Sequence, residues 1–234
     1  MQKVAVISGA SRGIGKAIAQ KYLAEGYQVF ISGRSVARLE EFSNTLPVEQ
    51  KARLFTFSGD MGIKADVYAF AEYVGKHTKE VNILVNNAGQ FIPGTIEGET
   101  DGTLEQLLQT NVNSAYYLTR ALLPVLEVSA LPHIFNICST ASIMAFTNGG
   151  SYCISKFALL GFSKVLRAEL MSKKIKVTSI LPGPTLTDSW AGSDLPENRF
   201  MKAEDIADLV FTCSNLSPAA CVEELLIRPI EGDI

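Results

Sequence analysis

The chain has 234 residues, of which 47% are hydrophobic and 19% charged, and its formal net charge is −3. This composition is that of a globular protein long enough to bury a sizeable core. The slightly acidic balance gives no electrostatic basis for binding nucleic acid or an anionic membrane, and no apolar run approaches the ~20 residues of a membrane span, so we expect neither partner.

The first element is a short apolar run over residues 3–8 that ends at a glycine. This pattern is typical of a buried parallel strand rather than of a signal peptide. Gly9-Ala10-Ser11-Arg12-Gly13-Ile14-Gly15 follows, and then a helical pattern through Ala24. Glycine allows positive φ and close approach of a ligand, and a helix N-terminus favours a pyrophosphate. The turn therefore indicates nucleotide binding, although its spacing is G-x-x-x-G-x-G rather than the common G-x-G-x-x-G.

A second strand is expected over residues 28–32, and Gly33 and Arg34 follow it. An NAD-binding fingerprint would place an acidic residue here to hold the ribose 2′-hydroxyl, and none is present. Arg34, together with Arg12 of the glycine turn, offers a planar cation suited to a 2′-phosphate. The alternative is two solvated arginines. We predict that the cofactor is NADP(H).

Helical and strand patterns then alternate along the chain. Helices are expected over residues 36–44, 63–78 and 104–128 and from the Tyr152 region to about 172, and strands over 53–57, 82–85, 133–138 and 176–181. Pro124 is expected to kink the helix that contains it or to end it early. Strict alternation predicts an α/β fold with a doubly wound, mainly parallel sheet (a Rossmann fold), in which residues 1–234 form a single NADP-binding domain.

Tyr152 and Lys156 lie four residues apart in a predicted helix, so their side chains share one face. An ammonium beside a phenol favours the phenolate and lowers the tyrosine pKa from its free value of about 10. A tyrosine tuned in this way can act as the general acid or base of carbonyl reduction or alcohol oxidation. The Tyr-x-x-x-Lys pattern alone occurs by chance in many chains.

The order and spacing of several motifs add specificity. These are Gly9-x-x-x-Gly13-x-Gly15, Asn86-Asn87-Ala88-Gly89, Ser139 thirteen residues before the tyrosine, Tyr152-x-x-x-Lys156 and Pro182-Gly183-Pro184-Thr185. On these motifs the chain resembles the short-chain dehydrogenase/reductase family over nearly its whole length, and it looks most similar to the 3-oxoacyl-carrier-protein reductase type. The segment 222–234 lacks the Val-Asp-Gly-Gly-like end of that type, so the substrate stays open.

The resemblance implies an NADPH-dependent oxidoreductase that moves a hydride between the nicotinamide and a carbonyl or secondary alcohol, with a 3-oxoacyl compound as one candidate substrate. It implies that Tyr152 protonates the carbonyl oxygen, Ser139 orients that oxygen, and Lys156 holds the nicotinamide ribose and favours the ionised tyrosine. Asn111 would hold a water that links the lysine to solvent.

The same resemblance and the glycine turn together define the expected cofactor contacts. These are Gly9, Ser11, Arg12, Gly13, Ile14, Gly15, Arg34, Asp60, Met61, Asn87, Ala88, Gly89, Tyr152, Lys156, Pro182, Gly183, Thr185 and Thr187. The adenine end would meet Asp60 and Asn87, and Thr187 would contact the carboxamide or the pyrophosphate. Apolar side chains near the strand ends form either a substrate pocket or ordinary packing: Phe91, Met144, Phe146 and Trp190.

Each motif also has an ordinary structural interpretation. Ser139 and Thr140 are candidate caps of a turn, and Asn111 is a candidate for a locally bonded helix residue. Asn86 and Asn87 are candidate turn supports. Cys153 is interpreted as a packed thiol in preference to a redox switch. The four cysteines show no C-x-x-C pair and the two histidines are isolated, so we expect free thiols, no metal site and a cytoplasmic protein.

Two other functions stay open from the sequence. One is an NADP-dependent dehydrogenase or reductase of another small ketone or hydroxy compound, and the other is a non-catalytic dinucleotide sensor. The family resemblance implies a homodimer or homotetramer.

Overall fold

A computed structural model describes residues 2–190, 192 and 194–233, and its strands form one seven-stranded sheet. The strands are β1 (Val4–Ile7), β2 (Gln28–Gly33), β3 (Leu54–Ser58), β4 (Ile83–Asn86), β5 (His133–Ile137), β6 (Lys176–Pro182) and β7 (Glu224–Ile227). Every neighbouring pair is parallel, in the order β3-β2-β1-β4-β5-β6-β7. The chain reverses its direction of winding between β1 and β4, which is where sheets of this kind bind ligands.

Helices connect the strands. They are α1 (Gly13–Ala24), α2 (Val36–Asn44), α3 (Val48–Lys51), α4 (Lys64–His77), α5 (Thr103–Leu108), α6 (Ser114–Leu126), α7 (Gly150–Leu170) and α8 (Ala203–Ser214). A π-helical segment, Gln109–Asn113, joins α5 to α6, and a 3₁₀ turn, Thr140–Ser142, follows β5. None of the helices in the described part of the chain is long and apolar enough to cross a membrane.

Both faces of the sheet are buried, as a continuous apolar strand such as β1 requires. Ala5 and Ile7 face one hydrophobic cluster, which also contains Ile18 of α1 and Ile206 of α8. The alternate residues Val4 and Val6 face a second cluster built from α4, α6 and α7. Helices on both faces of a parallel sheet confirm the predicted doubly wound fold.

The predicted strands agree with the structure to within one residue at each end, and the helix that contains Pro124 ends two residues after it, short of the predicted end at residue 128. The helix continues past this proline to Leu126, because Leu118, Leu122 and Leu126 remain fully packed against the sheet. The helix predicted over residues 104–128 is interrupted by the π-helical segment between α5 and α6. The sequence did not predict this wider turn. Helix α8 and strand β7 were also not predicted.

Candidate active site

The glycine turn after β1 is braced by the residues that follow β4. The Ser8 hydroxyl accepts hydrogen bonds from the backbone amides of Asn87 (3.1 Å) and Ala88 (3.0 Å). The Asn87 side-chain amide donates to the carbonyls of Ser8 (3.0 Å) and Gly9 (2.8 Å). Gly9 has a φ of +64°, and a Cβ there would lie 2.8 Å from the Ala88 Cα. Glycine is therefore required at this position, and Asn87 does support the turn.

A cavity of about 440 Å³ runs from this turn to the first turn of α7. Every predicted cofactor contact except Gly15 lines it. Gly15 lies beneath the turn, where a Cβ would meet the Asn87 amide nitrogen at 2.3 Å and the Gly9 carbonyl oxygen at 2.7 Å. Its absent side chain lets α1 pack against the turn, and this glycine does not line the cavity.

Ser139 lies two residues beyond the end of β5, lines the cavity and caps the short turn that follows. Its hydroxyl accepts from the Ala141 amide at 3.1 Å, and its own amide donates to the Ser142 hydroxyl at 3.2 Å. The capping interpretation is therefore confirmed. A hydroxyl that accepts one bond still has a hydrogen to donate, so capping leaves Ser139 able to hydrogen-bond a carbonyl oxygen in the cavity.

Tyr152 and Lys156 occupy the first two turns of α7 and both line the cavity. The Lys156 ammonium is buried, donates to the Ile137 carbonyl at 3.0 Å and lies 5.8 Å from the centre of the Tyr152 ring. The Phe91 ring packs edge-on against Tyr152, with the ring centres 4.8 Å apart. Because an ammonium carries three donors, Lys156 keeps two beyond the one that Ile137 uses.

Asn111 lies in the π-helical segment and does not line the cavity. Its side chain exchanges two hydrogen bonds with the Gln90 backbone, at 2.7 and 3.0 Å, and donates to the Ser155 hydroxyl at 2.9 Å. Ser155 in turn donates to the Tyr152 carbonyl at 2.7 Å. Asn111 thus joins the segment after β4 to α7. π-Helical turns are often found at functional sites.

A buried polar chain holds α7 on the sheet below the site. Asn86 donates to Thr119 (2.9 Å) and to Asn136 (2.8 Å), and Asn136 donates to the Ser163 hydroxyl (2.9 Å). Ser179 of β6 donates to the same hydroxyl at 2.7 Å. Buried hydrogen bonds of this kind are costly to leave unmade, so they fix the helix in one position.

Arg12 and Arg34 approach the same end of the cavity. Ser11 and Gly33 are in close contact, because a Cβ on Gly33 would lie 2.9 Å from the Ser11 Cβ. Arg12 directly follows Ser11 and Arg34 directly follows Gly33, so the two arginines start from neighbouring points of the backbone. Arg12 is not merely solvated, because its guanidinium donates to Asp188 at 2.8 Å. This contact holds the pKa of the Asp188 carboxyl below its usual value. Sequence reasoning missed Asp188, since no motif marks an acid in this segment.

Part of the cavity wall is apolar. Phe91, Met144, Phe146 and Trp190 all line it, as the pocket interpretation predicted. Asp233, near the end of the described chain, lines it as well and was also missed. The cavity therefore has a cationic end at the glycine turn and several apolar side chains in its wall, of which Phe91 contacts Tyr152.

The four cysteines are free thiols. Cys153 is 6% exposed and packs against Gly149, where a Cβ would lie 2.5 Å from its sulfur, in keeping with the packed-thiol interpretation. Burial raises the pKa of the Cys138 thiol to about 11, which keeps it protonated near neutral pH. Among residues 2–190, 192 and 194–233, no cluster of three or more His, Cys, Asp or Glu side chains is placed to hold a metal ion.

A doubly wound parallel sheet whose switch-point cavity joins a glycine turn to Ser139, Tyr152 and Lys156 is the arrangement of a dinucleotide-dependent oxidoreductase. The family model for short chain dehydrogenases matches residues 3–198. The chain belongs to this family.

Curated relatives and solved structures agree with this assignment. The chain is 32% identical over 232 residues to an uncharacterized oxidoreductase of Staphylococcus epidermidis, covering 98% of both chains. It is 30% identical over 242 residues to the sepiapterin reductase of Chlorobaculum tepidum, covering 100% of this chain and 99% of the relative. The alcohol dehydrogenase of the archaeon Thermococcus sibiricus, solved with 5-hydroxy-NADP, superposes with a TM-score of 0.89 at 28% identity and covers 98% and 97% of the two chains.

Proposed function

We propose that this protein is an NADPH-dependent carbonyl reductase, which interconverts a ketone or aldehyde and the corresponding alcohol. The observation that carries the proposal is the single cavity, which has Arg12 and Arg34 at one end and Ser139, Tyr152 and Lys156 farther along. A dinucleotide is an elongated ligand, and its 2′-phosphate and its nicotinamide lie at opposite ends. The two groups of side chains match those two ends.

Arg34 supports the choice of NADPH over NADH. Strand β2 ends at Gly33, so the next residue is this exposed arginine rather than an acid that would hold a ribose 2′-hydroxyl. Arg34 lines the cavity, and its side chain forms no ion pair with any carboxylate that the structure describes. The NADP analogue bound to the Thermococcus sibiricus relative agrees with this choice.

Glycine at position 89 keeps the cavity open beside the lysine. A Cβ at Gly89 would lie 3.6 Å from the Lys156 Nζ and 3.4 Å from the Asn111 Oδ1. The cavity space next to Lys156 is therefore available to a ribose hydroxyl, and the Asn111 oxygen lies close behind Gly89. We also propose that a water lies between Asn111 and Lys156. This water would return protons to the site after each turnover.

Bound NADPH would supply the hydride to the carbonyl carbon. Tyr152 gives its phenolic proton to the carbonyl oxygen, and Ser139 donates a hydrogen bond to the same oxygen as negative charge develops there. Lys156 binds the cofactor ribose and stabilises the phenolate that remains on Tyr152. In the reverse direction the tyrosine accepts the alcohol proton instead.

The apolar side chains of the cavity wall define the substrate class only broadly. Phe91, Met144, Phe146 and Trp190 favour a substrate with apolar surface next to its carbonyl group. A 3-oxoacyl thioester is one candidate, and sepiapterin is a second because of the Chlorobaculum tepidum relative. Another small ketone or hydroxy compound is a third.

We also propose that the protein is a cytoplasmic homodimer or homotetramer. Helices α6 and α7 expose four large apolar or aromatic side chains, which a second copy of the chain would cover: Tyr116, Ile154, Phe157 and Val165. Light scattering on the purified protein measures the subunit number. A monomer at micromolar concentration would contradict this part of the proposal.

The central experiment measures kcat/KM with NADPH and with NADH on a panel that includes simple ketones, a 3-oxoacyl thioester and sepiapterin. We expect turnover with a clear preference for NADPH, and Arg34→Gln should reduce that preference. Arg120→Gln, on the outer face of α6, is the matched control. A preference for NADH would contradict the cofactor assignment. Nucleotide binding without turnover on any carbonyl or alcohol would favour a dinucleotide sensor.

A further inference from the structure

One carboxylate contacts two arginines at the cationic end of the cavity. The Asp188 Oδ2 lies 2.8 Å from the Arg12 Nη1 and 3.5 Å from the Arg38 Nη1. The three residues come from separate elements: Arg12 immediately precedes α1, Arg38 lies in the first turn of α2, and Asp188 begins a 3₁₀ turn after β6. Neither Asp188 nor Arg38 belongs to the glycine motif.

The ion pair lies within the cofactor cavity. Arg12 and Asp188 both line that cavity, as does Thr187. A Cβ on Gly13 would lie 3.2 Å from the Thr187 methyl carbon, so the segment that carries Asp188 sits directly against the glycine turn. The carboxylate therefore lies where the phosphates of a bound dinucleotide would be close to it.

Asp188 offsets only part of the positive charge at this end. Its carboxylate balances one of the two charges of Arg12 and Arg38, and Arg34 adds a further positive charge. Each of the three side chains is about half exposed, at 47%, 49% and 49% for Arg12, Arg38 and Asp188. Ion pairs this exposed contribute little to stability, whereas a phosphate offers a guanidinium several charged acceptors at once. A 2′-phosphate is therefore able to replace the carboxylate.

We propose that Asp188 is a specificity-determining residue, an internal counter-anion that competes with the 2′-phosphate of NADPH for Arg12 and Arg38. The inference rests on the proposed function, since it assumes that NADPH occupies the cavity. NADH lacks the 2′-phosphate and leaves the ion pair intact on binding. Asp188 accordingly weakens the binding of NADPH relative to that of NADH, and it speeds the release of the phosphorylated cofactor.

The test is a calorimetric titration with two ligands that differ by one phosphate, 2′,5′-ADP and 5′-AMP. We expect Asp188→Asn to tighten 2′,5′-ADP binding by about 3- to 10-fold, because one negative charge near the phosphate is removed, and to leave 5′-AMP within about 2-fold. The gain should shrink in 0.5 M salt, since these groups are exposed to solvent. Asp208→Asn is the control, because Asp208 is an exposed acid paired with Lys21 outside the cavity.

The proposal is overturned if Asp188→Asn weakens 2′,5′-ADP binding, leaves it unchanged, or tightens both ligands equally. The titration needs no turnover, so an enzyme inactive on every ketone would still test the role of Asp188. Equal affinities of the unmodified protein for the two ligands would contradict the proposed NADPH preference whatever the variant does. The two proposals therefore fail by different results.

Discussion

Glu99 accepts hydrogen bonds from both the backbone amide (2.8 Å) and the hydroxyl of Ser151, one residue before the tyrosine of the site. The contact joins the segment after β4 to the first turn of α7. A carboxylate at a helix N-terminus satisfies otherwise unpaired amides and interacts favourably with the helix dipole. Glu99 therefore positions the turn that carries Tyr152.

Replacing Glu99 by alanine should lower the free energy of unfolding by about 1–2 kcal/mol, the usual cost of losing a helix cap. Glu99→Gln should lose less, because an amide oxygen still accepts from the Ser151 backbone. Urea denaturation measures both values. Glu97→Ala, an exposed change in the same segment, is the control. Equal stability of the alanine and glutamine variants and the unmodified protein would show that the contact is unimportant.

Tyr152→Phe removes the proposed proton donor and keeps the ring that packs against Phe91. We expect kcat to fall by about 10²- to 10⁴-fold, the range that general acid catalysis usually contributes. NADPH affinity, followed by fluorescence titration, should change little. Tyr68→Phe on α4, an exposed tyrosine that does not line the cavity, serves as the control and should keep full activity. Retention of turnover by Tyr152→Phe on a good substrate would rule out this tyrosine as the acid.

Lys156→Gln should impair both cofactor binding and turnover, since one ammonium is assigned to the ribose and to the phenolate. We expect weaker NADPH binding together with a loss in kcat of at least about 10²-fold. Lys164 lies two turns farther along the same helix, is exposed and pairs with Glu224. Lys164→Gln should therefore leave both quantities unchanged. A Lys156→Gln protein with normal NADPH affinity would contradict the ribose contact.

His133 should make the protein sensitive to mild acid. The Thr178 hydroxyl donates its hydrogen to the Val222 carbonyl, so it accepts a hydrogen bond from the His133 Nε2 at 2.7 Å. The other ring nitrogen of His133, Nδ1, has no hydrogen-bond partner among the described residues. Burial, followed by the charge of Lys176 on the neighbouring strand, lowers the pKa of His133 to about 3. An unfolded histidine titrates near about 6.5, so between these values the unfolded state binds more protons.

Above about pH 6.5, His133 should have no effect on the free energy of unfolding. Between about pH 6.5 and about pH 3, it should lower that free energy by up to about 1.4 kcal/mol for each unit that the pH falls. Urea denaturation from pH 7 to pH 4 measures the slope. His133→Gln retains a donor for Thr178 and should flatten the curve. The exposed His77→Gln controls for the loss of a histidine in general. An identical slope in His133→Gln and the unmodified protein would contradict the prediction.

Periodicity and turn residues were enough to predict the sheet, because buried parallel strands are short apolar runs between glycine-rich or polar turns. Helix α8 carried a usable signal that was overlooked: Ile206, Val210 and Cys213 recur at helical spacing behind two acidic residues. Strand β7 gave little signal, since this edge strand is only half buried. The π-helical turn at Asn111 depends on contacts with Gln90 and Ser155 that no local pattern reveals.

Site residues were predictable from the sequence where they belong to one motif on one helix. They were less predictable where segments distant in the sequence come together. Tyr152 and Lys156 share a helix face by spacing alone, and both line the cavity. The ion pair between Arg12 and Asp188 joins residues 176 positions apart, so the charge environment of the arginine could not be predicted from the glycine turn. Asn111 was predicted from the family resemblance. Its hydrogen bonds to the Gln90 backbone, which place it outside the cavity lining, could not be predicted from the sequence.

The mutual bonding of Ser8 and Asn87 has a consequence for biosynthesis. These residues are 79 positions apart, so the glycine motif emerges from the ribosome long before the side chain that shapes it. A nascent chain stopped before Asn87 would contain the complete motif and still have no fixed cradle for phosphate. Closing a loop of that length is slow compared with forming a helix, so nucleotide affinity should arise late in folding, together with the pairing of β1 and β4.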